Sequence, residues 1–123
     1  EYLDGWTKKR QLVALEYLSS INSKEELILP KVESYAEHVW HLFVIKSKQR
    51  DRLKKHLYSM GIQSVINYPV ALPFLKAYER FSKKPEHFPC AYNNQSQILS
   101  IPLFPDLSTE QISYVSDAIN KFT

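Results

Sequence analysis

The stretch HVWHLFVIK, residues 38–46, constrains the fold of this chain more than any other part of the sequence. It is rich in β-branched and aromatic residues, and polar clusters bound it on both sides. Such a run is typical of a buried strand. We therefore expect this strand to lie at the centre of the fold.

The residues after this strand predict a helix and a second strand. Ser47 is a suitable cap for the helix, and Gly61 ends it because glycine tolerates a positive φ. Residues 62–67 then predict a strand, which gives a β-α-β unit whose connection is right-handed if the two strands are parallel and adjacent. The apolar stripe of the helix consists of Leu53, Leu57 and Met60.

Two further helices are predicted from apolar residues at helical spacing. The first covers residues 3–18. Polar residues 19–26 follow it, and a short extended segment at 27–30 ends this linker. The second covers residues 72–81, and the prolines at 85 and 89 break it. Its apolar face carries Phe74, Ala77 and Phe81.

The last third of the chain predicts a strand and a closing helix. Residues 98–101 form the third short strand, and Ser108 with Gln111 has the spacing of a capping box. The apolar stripe of the final helix consists of Ile112, Val115, Ile119 and Phe122. The order of elements predicts an α/β (α+β) fold, in which helices pack on a small sheet of three to four strands.

Composition excludes several classes of protein. The longest apolar run contains His41 and is far shorter than the roughly 20 residues that cross a bilayer, so we expect no membrane span. A formal charge of +3 is too small to indicate nucleic-acid binding. One cysteine, Cys90, permits no internal disulfide, which favours a cytoplasmic protein. The chain starts at Glu1 without a signal-peptide pattern, and we expect this start to be a cut within a longer protein.

Histidine and cysteine are the first candidates for chemistry, and each has a structural interpretation. His38 and His41 are three apart on a predicted strand, so their side chains point to opposite faces and cannot share a metal ion. His41 lies among large apolar residues, which favours a hydrogen-bonded core position. His56 and His87 are expected at the surface. Cys90 has no basic neighbour to activate its thiol, so we expect a small packing residue.

Phosphate recognition has little support in this sequence. Only Gly5 and Gly61 are present, so neither a phosphate-binding loop nor a dinucleotide fingerprint can be built. Basic residues surround the apolar stripe of the predicted helix on several sides, which favours a solvated helix face over a phosphate site. This basic cluster consists of Lys46, Lys48, Arg50, Arg52, Lys54, Lys55 and His56.

Asn67 and Tyr68 form the best candidate site. They lie where a predicted strand gives way to a loop, and binding residues concentrate in loops on a rigid scaffold. A structural alternative is that Pro69 ends the strand and Tyr68 covers the edge of the core. The residues alone leave both interpretations open.

Nearly the whole chain resembles the C-terminal part of the DegT/DnrJ/EryC1/StrS family of sugar aminotransferases. The resemblance rests on several pieces in combination: the W-x3-R-x6-Y helix through Trp6, Arg10 and Tyr17, the WHLFVI strand, the MGI turn, the YP loop and the ILSIPLFPDL run. It implies the small C-terminal domain of a fold-type I enzyme dependent on pyridoxal 5'-phosphate. Such an enzyme is usually a homodimer and moves an amino group from glutamate to a keto group on a nucleotide-linked sugar.

The resemblance also implies where the functional residues lie. No lysine in this sequence lies in a segment similar to the cofactor-lysine motif, so the cofactor-binding residues are expected upstream of Glu1, and no cofactor is expected on this chain alone. Residues 1–30 are expected to be the helix and linker from that absent large domain, and residues 31–123 the small domain. The family's usual histidine-tyrosine pair falls on Asn67 and Tyr68. Asn67 departs from the usual histidine, so what the resemblance implies for the pair is hydrogen bonding to sugar hydroxyls.

Two other functions are compatible with the residues. One is a free-standing regulatory module that binds a small molecule on a β-α-β scaffold, because a fold does not fix a function. The other is a nucleic-acid-binding module that uses the basic helix, which requires aromatic residues exposed on the sheet. The aromatic residues lie mostly at core spacing, which disfavours nucleic-acid binding. The resemblance to the family makes the aminotransferase fragment the favoured interpretation.

Overall fold

A three-stranded antiparallel sheet organises the chain. The computed structural model describes residues 2–81 and 83–122, so Glu1 and the expected cut lie outside the described residues. The strands are β1 (Leu27–Ile28), β2 (Phe43–Ser47) and β3 (Ile98–Ile101), in the order β1-β2-β3. Their register pairs Phe43 with Ile101 and Ile45 with Leu99. The predicted mixed fold with a small sheet is confirmed.

Four α-helices in the described residues accompany the sheet. They are α1 (Leu3–Ser20), α2 (Arg50–Ser59), α3 (Pro89–Gln95) and α4 (Thr109–Asn120). Side chains from α1, α2 and α4 share one core with the inward-facing residues of β2 and β3. None of the helices in the described part of the chain has the length and apolar character needed to cross a membrane.

The predicted ends of the core helices are mostly confirmed. Gly61 follows α2 with a φ of 74°, a conformation that favours glycine. The Oγ of Ser108 accepts a hydrogen bond from the N–H of Gln111, whose Oε1 accepts one from the N–H of Ser108, so the capping box starts α4 as predicted. Ser47, in contrast, is not the cap of α2. It is the last residue of β2, and its Oγ accepts a hydrogen bond from the N–H of Gln49.

The central strand is shorter than predicted. Residues 38–42 lie outside β2, because Trp40 adopts a positive φ of 50° and turns the chain before Phe43. This turn buries the Trp40 indole against the Phe43 ring, at a centroid distance of 5.3 Å. His38 stabilises the turn, since its Nδ1 accepts a hydrogen bond from the N–H of Trp40 at 2.8 Å.

The segment 62–67 is not a regular strand. Only Val65 pairs with the sheet, in an isolated antiparallel bridge to Ser100 of β3. Because β3 lies between this segment and β2, the two are not adjacent, and the condition attached to the right-handed β-α-β connection is not met. The segment forms a short extra edge beside β3 instead.

The prediction of an α-helix over 72–81 is also wrong. The chain forms short 3₁₀ helices at Leu72–Phe74 and Lys76–Phe81, followed by a third at Pro85–His87. The apolar residues of this stretch have no core to cover, and Phe81 is exposed. Pro89 does not break a helix but begins α3, where the missing N–H of proline has no cost.

Tyr17 links α1 to the end of β3 and gives the fold a pH dependence. Its buried hydroxyl donates a hydrogen bond to the carbonyl oxygen of Pro102 at 2.9 Å. Burial, and secondarily the Glu16 carboxylate, raise the pKa of Tyr17 well above its ordinary value. In the folded state the Tyr17 phenol therefore stays neutral, whereas in the unfolded chain it ionises near pH ~10.

We expect this difference to weaken the fold at alkaline pH. The contribution of Tyr17 is fully present below pH ~10 and is lost as the pH rises toward the folded pKa, by up to about 1.4 kcal/mol per pH unit. Urea titrations between roughly pH 9 and 11 measure it. Tyr17→Phe should flatten the decline, whereas Tyr58→Phe, at an exposed position of α2, should not. Identical slopes in wild type and Tyr17→Phe would contradict the assignment.

Candidate functional site

Asn67 is fixed to the edge of the sheet. Val65 exchanges two backbone hydrogen bonds with Ser100, of 3.0 and 2.8 Å, which brings Asn67 alongside β3. The Ser100 hydroxyl then donates a hydrogen bond to the Asn67 Oδ1 at 3.1 Å. The amide nitrogen Nδ2 makes no hydrogen bond to another described residue. Half-buried Asn67 thus presents a donor that a ligand can use.

Tyr68 projects from the same junction into solvent. Its side chain is 72% exposed, and it does not belong to the core or to the apolar residues packed against the core. The peptide bond between Asn67 and Tyr68 is cis. The alternative in which Tyr68 covers the core edge finds no packing contact to support it.

A second hydrogen bond holds the far end of this loop. The N–H of Ala71 donates to the Oε1 of Gln95, the last residue of α3, at 2.9 Å. Sequence reasoning missed both anchors, Ser100 and Gln95. The only signal for Ser100 was a hydroxyl within an otherwise apolar predicted strand, and Gln95 gave none, because α3 itself was not predicted.

Clefts open on both sides of the loop along the chain. One of about 530 Å³ includes Ile66, the residue before Asn67, and the α2 side chains Asp51, Lys54, Lys55 and Tyr58. Another of about 540 Å³ is formed by the 3₁₀ segments after Leu72, with Phe74, Lys76, Tyr78 and Lys83 among its lining residues. In sequence, the loop from Asn67 to Ala71 therefore connects residues that line two different clefts.

The histidine and cysteine predictions need three corrections. His41 is exposed rather than buried in the core, because residues 38–42 do not form a strand. His56 is half-buried, with its Nε2 3.0 Å from the carbonyl oxygen of Ala118, whereas His87 is exposed as predicted. Cys90 is exposed on α3 and is not a packing residue. Within residues 2–81 and 83–122, no three potential metal ligands cluster.

Six of the seven residues of the basic cluster reach solvent, although Lys46, Lys54 and His56 are half-buried. Arg52 and Lys55 are exposed, and Lys48 lies 3.3 Å from the Glu25 carboxylate in an exposed ion pair. Arg50, in contrast, is only 9% exposed, so the prediction of a solvated position is wrong for it. Its guanidinium extends to the end of α3 instead of into solvent.

Known proteins match this arrangement over nearly the whole chain. The dTDP-3-amino-3,6-dideoxy-alpha-D-galactopyranose transaminase of Aneurinibacillus thermoaerophilus is 34% identical over 121 residues, covering 98% of this chain and 32% of that protein. The erythromycin biosynthesis sensory transduction protein EryC1 of Saccharopolyspora erythraea is 33% identical over 93% of this chain and 31% of its own length.

A solved structure agrees with these relatives. The crystal structure of S. venezuelae DesV in complex with a ketimine intermediate matches with a TM-score of 0.92 and 33% identity, over 98% of this chain and 32% of DesV. The chain thus spans about a third of the length of the curated relatives it matches. The family model for DegT/DnrJ/EryC1/StrS aminotransferases covers residues 1–120. The chain therefore belongs to the DegT/DnrJ/EryC1/StrS aminotransferase family.

Proposed function

We propose that this chain is the C-terminal part of an aminotransferase that depends on pyridoxal 5'-phosphate and transfers an amino group from glutamate to a nucleotide-linked keto sugar. One observation carries the proposal: a relative named as a transaminase of a dTDP-linked amino sugar is similar over 98% of the chain. The full-length protein, incubated with glutamate and nucleotide-linked keto sugars, should form the corresponding amino sugars. Detection of none by mass spectrometry would contradict this function.

Exposed apolar side chains on α1 support the proposal that this chain is part of a larger protein. The C-terminal half of α1 packs in the core through Val13, Ala14 and Tyr17. Four other apolar residues of the helix are exposed, namely Leu3, Trp6, Leu12 and Leu15. Exposed apolar surface of this kind marks an interaction site. We propose that residues 1–30 lead from a large domain to the small domain of residues 31–123, in a cytoplasmic homodimer.

The residues of this chain do not by themselves fit the cofactor. A lysine that forms a Schiff base is activated by an enclosed environment or a neighbouring cation. None of the lysines in the described residues is buried, and Lys9, Lys31 and Lys48 are paired with carboxylates. We therefore assign the cofactor to the rest of the protein.

This chain's own contribution is to bind the sugar. The Asn67 Nδ2 can donate a hydrogen bond, and the Tyr68 hydroxyl can donate or accept one, so the pair suits the hydroxyl groups of a sugar. Asn67 is fixed by Ser100, whereas Tyr68 is free to meet a ligand. We infer that both residues hold and orient the sugar while the large domain supplies the chemistry.

Asn67→Ala and Tyr68→Phe in the full-length protein test this role. Each should slow turnover of the nucleotide sugar by the equivalent of one neutral hydrogen bond, about 0.5–1.5 kcal/mol, and leave the half-reaction with glutamate unchanged. Both half-reactions are measured by the absorbance change of the cofactor. Equal losses in the two half-reactions would contradict a contact with the sugar.

A melting curve for each variant separates binding from stability. Asn67→Ala also removes the acceptor of the Ser100 hydroxyl, so some loss of stability is expected there. Tyr68→Phe removes only an exposed hydroxyl and should melt like the wild type. Tyr68→Phe is therefore the cleaner variant, and unchanged sugar turnover in it would exclude a hydrogen bond from its hydroxyl.

A further inference from the structure

The loop between Asn67 and Ala71 is held at its two ends. Ser100 fixes the Asn67 side chain, and Gln95 fixes the Ala71 backbone. Between these anchors, residues 68–70 are exposed and make no hydrogen bond to the rest of the described chain. The two anchors therefore constrain the loop backbone that carries Tyr68.

The Gln95 anchor is itself rigid. The Nη1 of Arg50 lies 3.3 Å from the carbonyl oxygen of Gln95 and 3.3 Å from that of Ile98, and donates to both. Arg50 is buried at the start of α2, and its Nε donates to the Asp51 carboxylate at 2.6 Å. A buried arginine thus ties the junction of α3 and β3 to α2, so the side chain of Gln95 extends from a fixed backbone.

From these contacts we propose that Gln95 is a positioning residue for sugar binding: its side-chain oxygen holds the Ala71 N–H and thereby places Tyr68 for contact with the substrate. The proposal rests on the proposed function of Asn67 and Tyr68. Without the Gln95 oxygen, the loop keeps only its anchor at Asn67, and the Tyr68 hydroxyl samples other positions. Misplacement of a binding group weakens the interactions that orient a substrate.

Two substitutions at Gln95 separate the hydrogen bond from the bulk of the side chain. Gln95→Leu in the full-length protein removes the acceptor, and Gln95→Glu keeps one. The probe is the nucleotide-linked amino sugar that the wild type uses best in the reverse half-reaction, chosen from a panel that includes dTDP-3-amino-3,6-dideoxy-α-D-galactopyranose. Gln95→Leu should raise the KM for this sugar about 2- to 12-fold, the equivalent of one neutral hydrogen bond. Gln95→Glu should remain near the wild type.

Two readouts distinguish positioning from a structural role. The half-reaction with glutamate should be unchanged in Gln95→Leu, and amide hydrogen exchange in peptides covering residues 67–72 should accelerate. Asn93→Leu, at an exposed position on the same helix, should change neither the KM for the sugar nor the rate of exchange. If Gln95→Leu does not fold, Ala71→Pro deletes the donor of the same hydrogen bond, and the φ of −68° at Ala71 accepts proline. It should raise the same KM.

The outcomes also separate this proposal from the function on which it rests. A wild-type protein inert toward every nucleotide sugar of the panel would overturn the proposed function and, with it, the role of the loop. An active wild type with an unchanged KM in Gln95→Leu would overturn the positioning role alone, whether or not exchange accelerates. A rise in KM that Gln95→Glu shares equally would also overturn it, since the acceptor would then be irrelevant.

Discussion

Leu57→Ala is expected to lower the free energy of unfolding by about 2–5 kcal/mol. Leu57 is fully buried in the C-terminal half of α2, as is Leu53 one turn before it. Truncation removes apolar contacts and leaves a cavity, because a close-packed core relaxes only in part around the missing atoms. A loss of this size is a large fraction of the stability of a small domain.

Urea titration of the chain measures this loss. Lys55→Ala is the matched control, since Lys55 is exposed on the same helix and makes no ion pair within the described residues. It should change the free energy of unfolding by less than about 0.5 kcal/mol. A change below about 0.5 kcal/mol in Leu57→Ala itself would contradict a buried position for this face of α2.

The elements predicted well are those whose signals are local. The stripe of Leu53 and Leu57, the glycine after α2 and the capping box at Ser108 each depend on neighbours within a turn of helix. Met60 continued the stripe in sequence but lies at the end of α2, where it is 37% exposed. A local pattern therefore located the helix but overestimated how much of it the core covers.

The elements predicted poorly depend on distant contacts. The HVWH residues have strand composition, but the chain turns at Trp40, whose indole is buried in the core that α1, α2 and α4 build. Apolar residues in 72–81 have helical spacing, but the fold offers them no core to cover. A hydrophobic pattern does not show which surface of the fold the apolar residues can pack against. Tertiary structure therefore overrides the pattern in these two stretches.

In the candidate site, too, the features with a local signal were predicted and those that depend on distant contacts were not. Asn67 and Tyr68 were found because polar residues at the end of a predicted strand are a local signal. The anchors at Ser100 and Gln95 join residues 33 and 24 positions apart, a separation that no short pattern contains. Sequence therefore located the loop, whereas the hydrogen bonds that hold it are visible only in the structure.

The chain of residues 1–123, expressed by itself, is expected to show no transamination. Mixed with pyridoxal 5'-phosphate and then treated with borohydride and dialysed, it should retain no stoichiometric label on one lysine. The physical reason is that no described lysine is buried, so nothing encloses an adduct against water. Mass spectrometry of the peptides measures the label, and the full-length protein is the positive control.

The isolated chain also distinguishes the remaining functions. A free-standing regulatory module predicts a well-behaved dimer that binds a metabolite without the rest of the protein. A small domain cut from a larger one instead leaves the apolar side chains Leu3, Trp6, Leu12 and Leu15 without the surface that covers them. One lysine labelled to stoichiometry would show that this chain holds the cofactor itself. The proposed assignment of the cofactor to the rest of the protein would then be wrong. Because no described lysine is buried, we expect no label on the isolated chain and both labelling and turnover in the full-length protein.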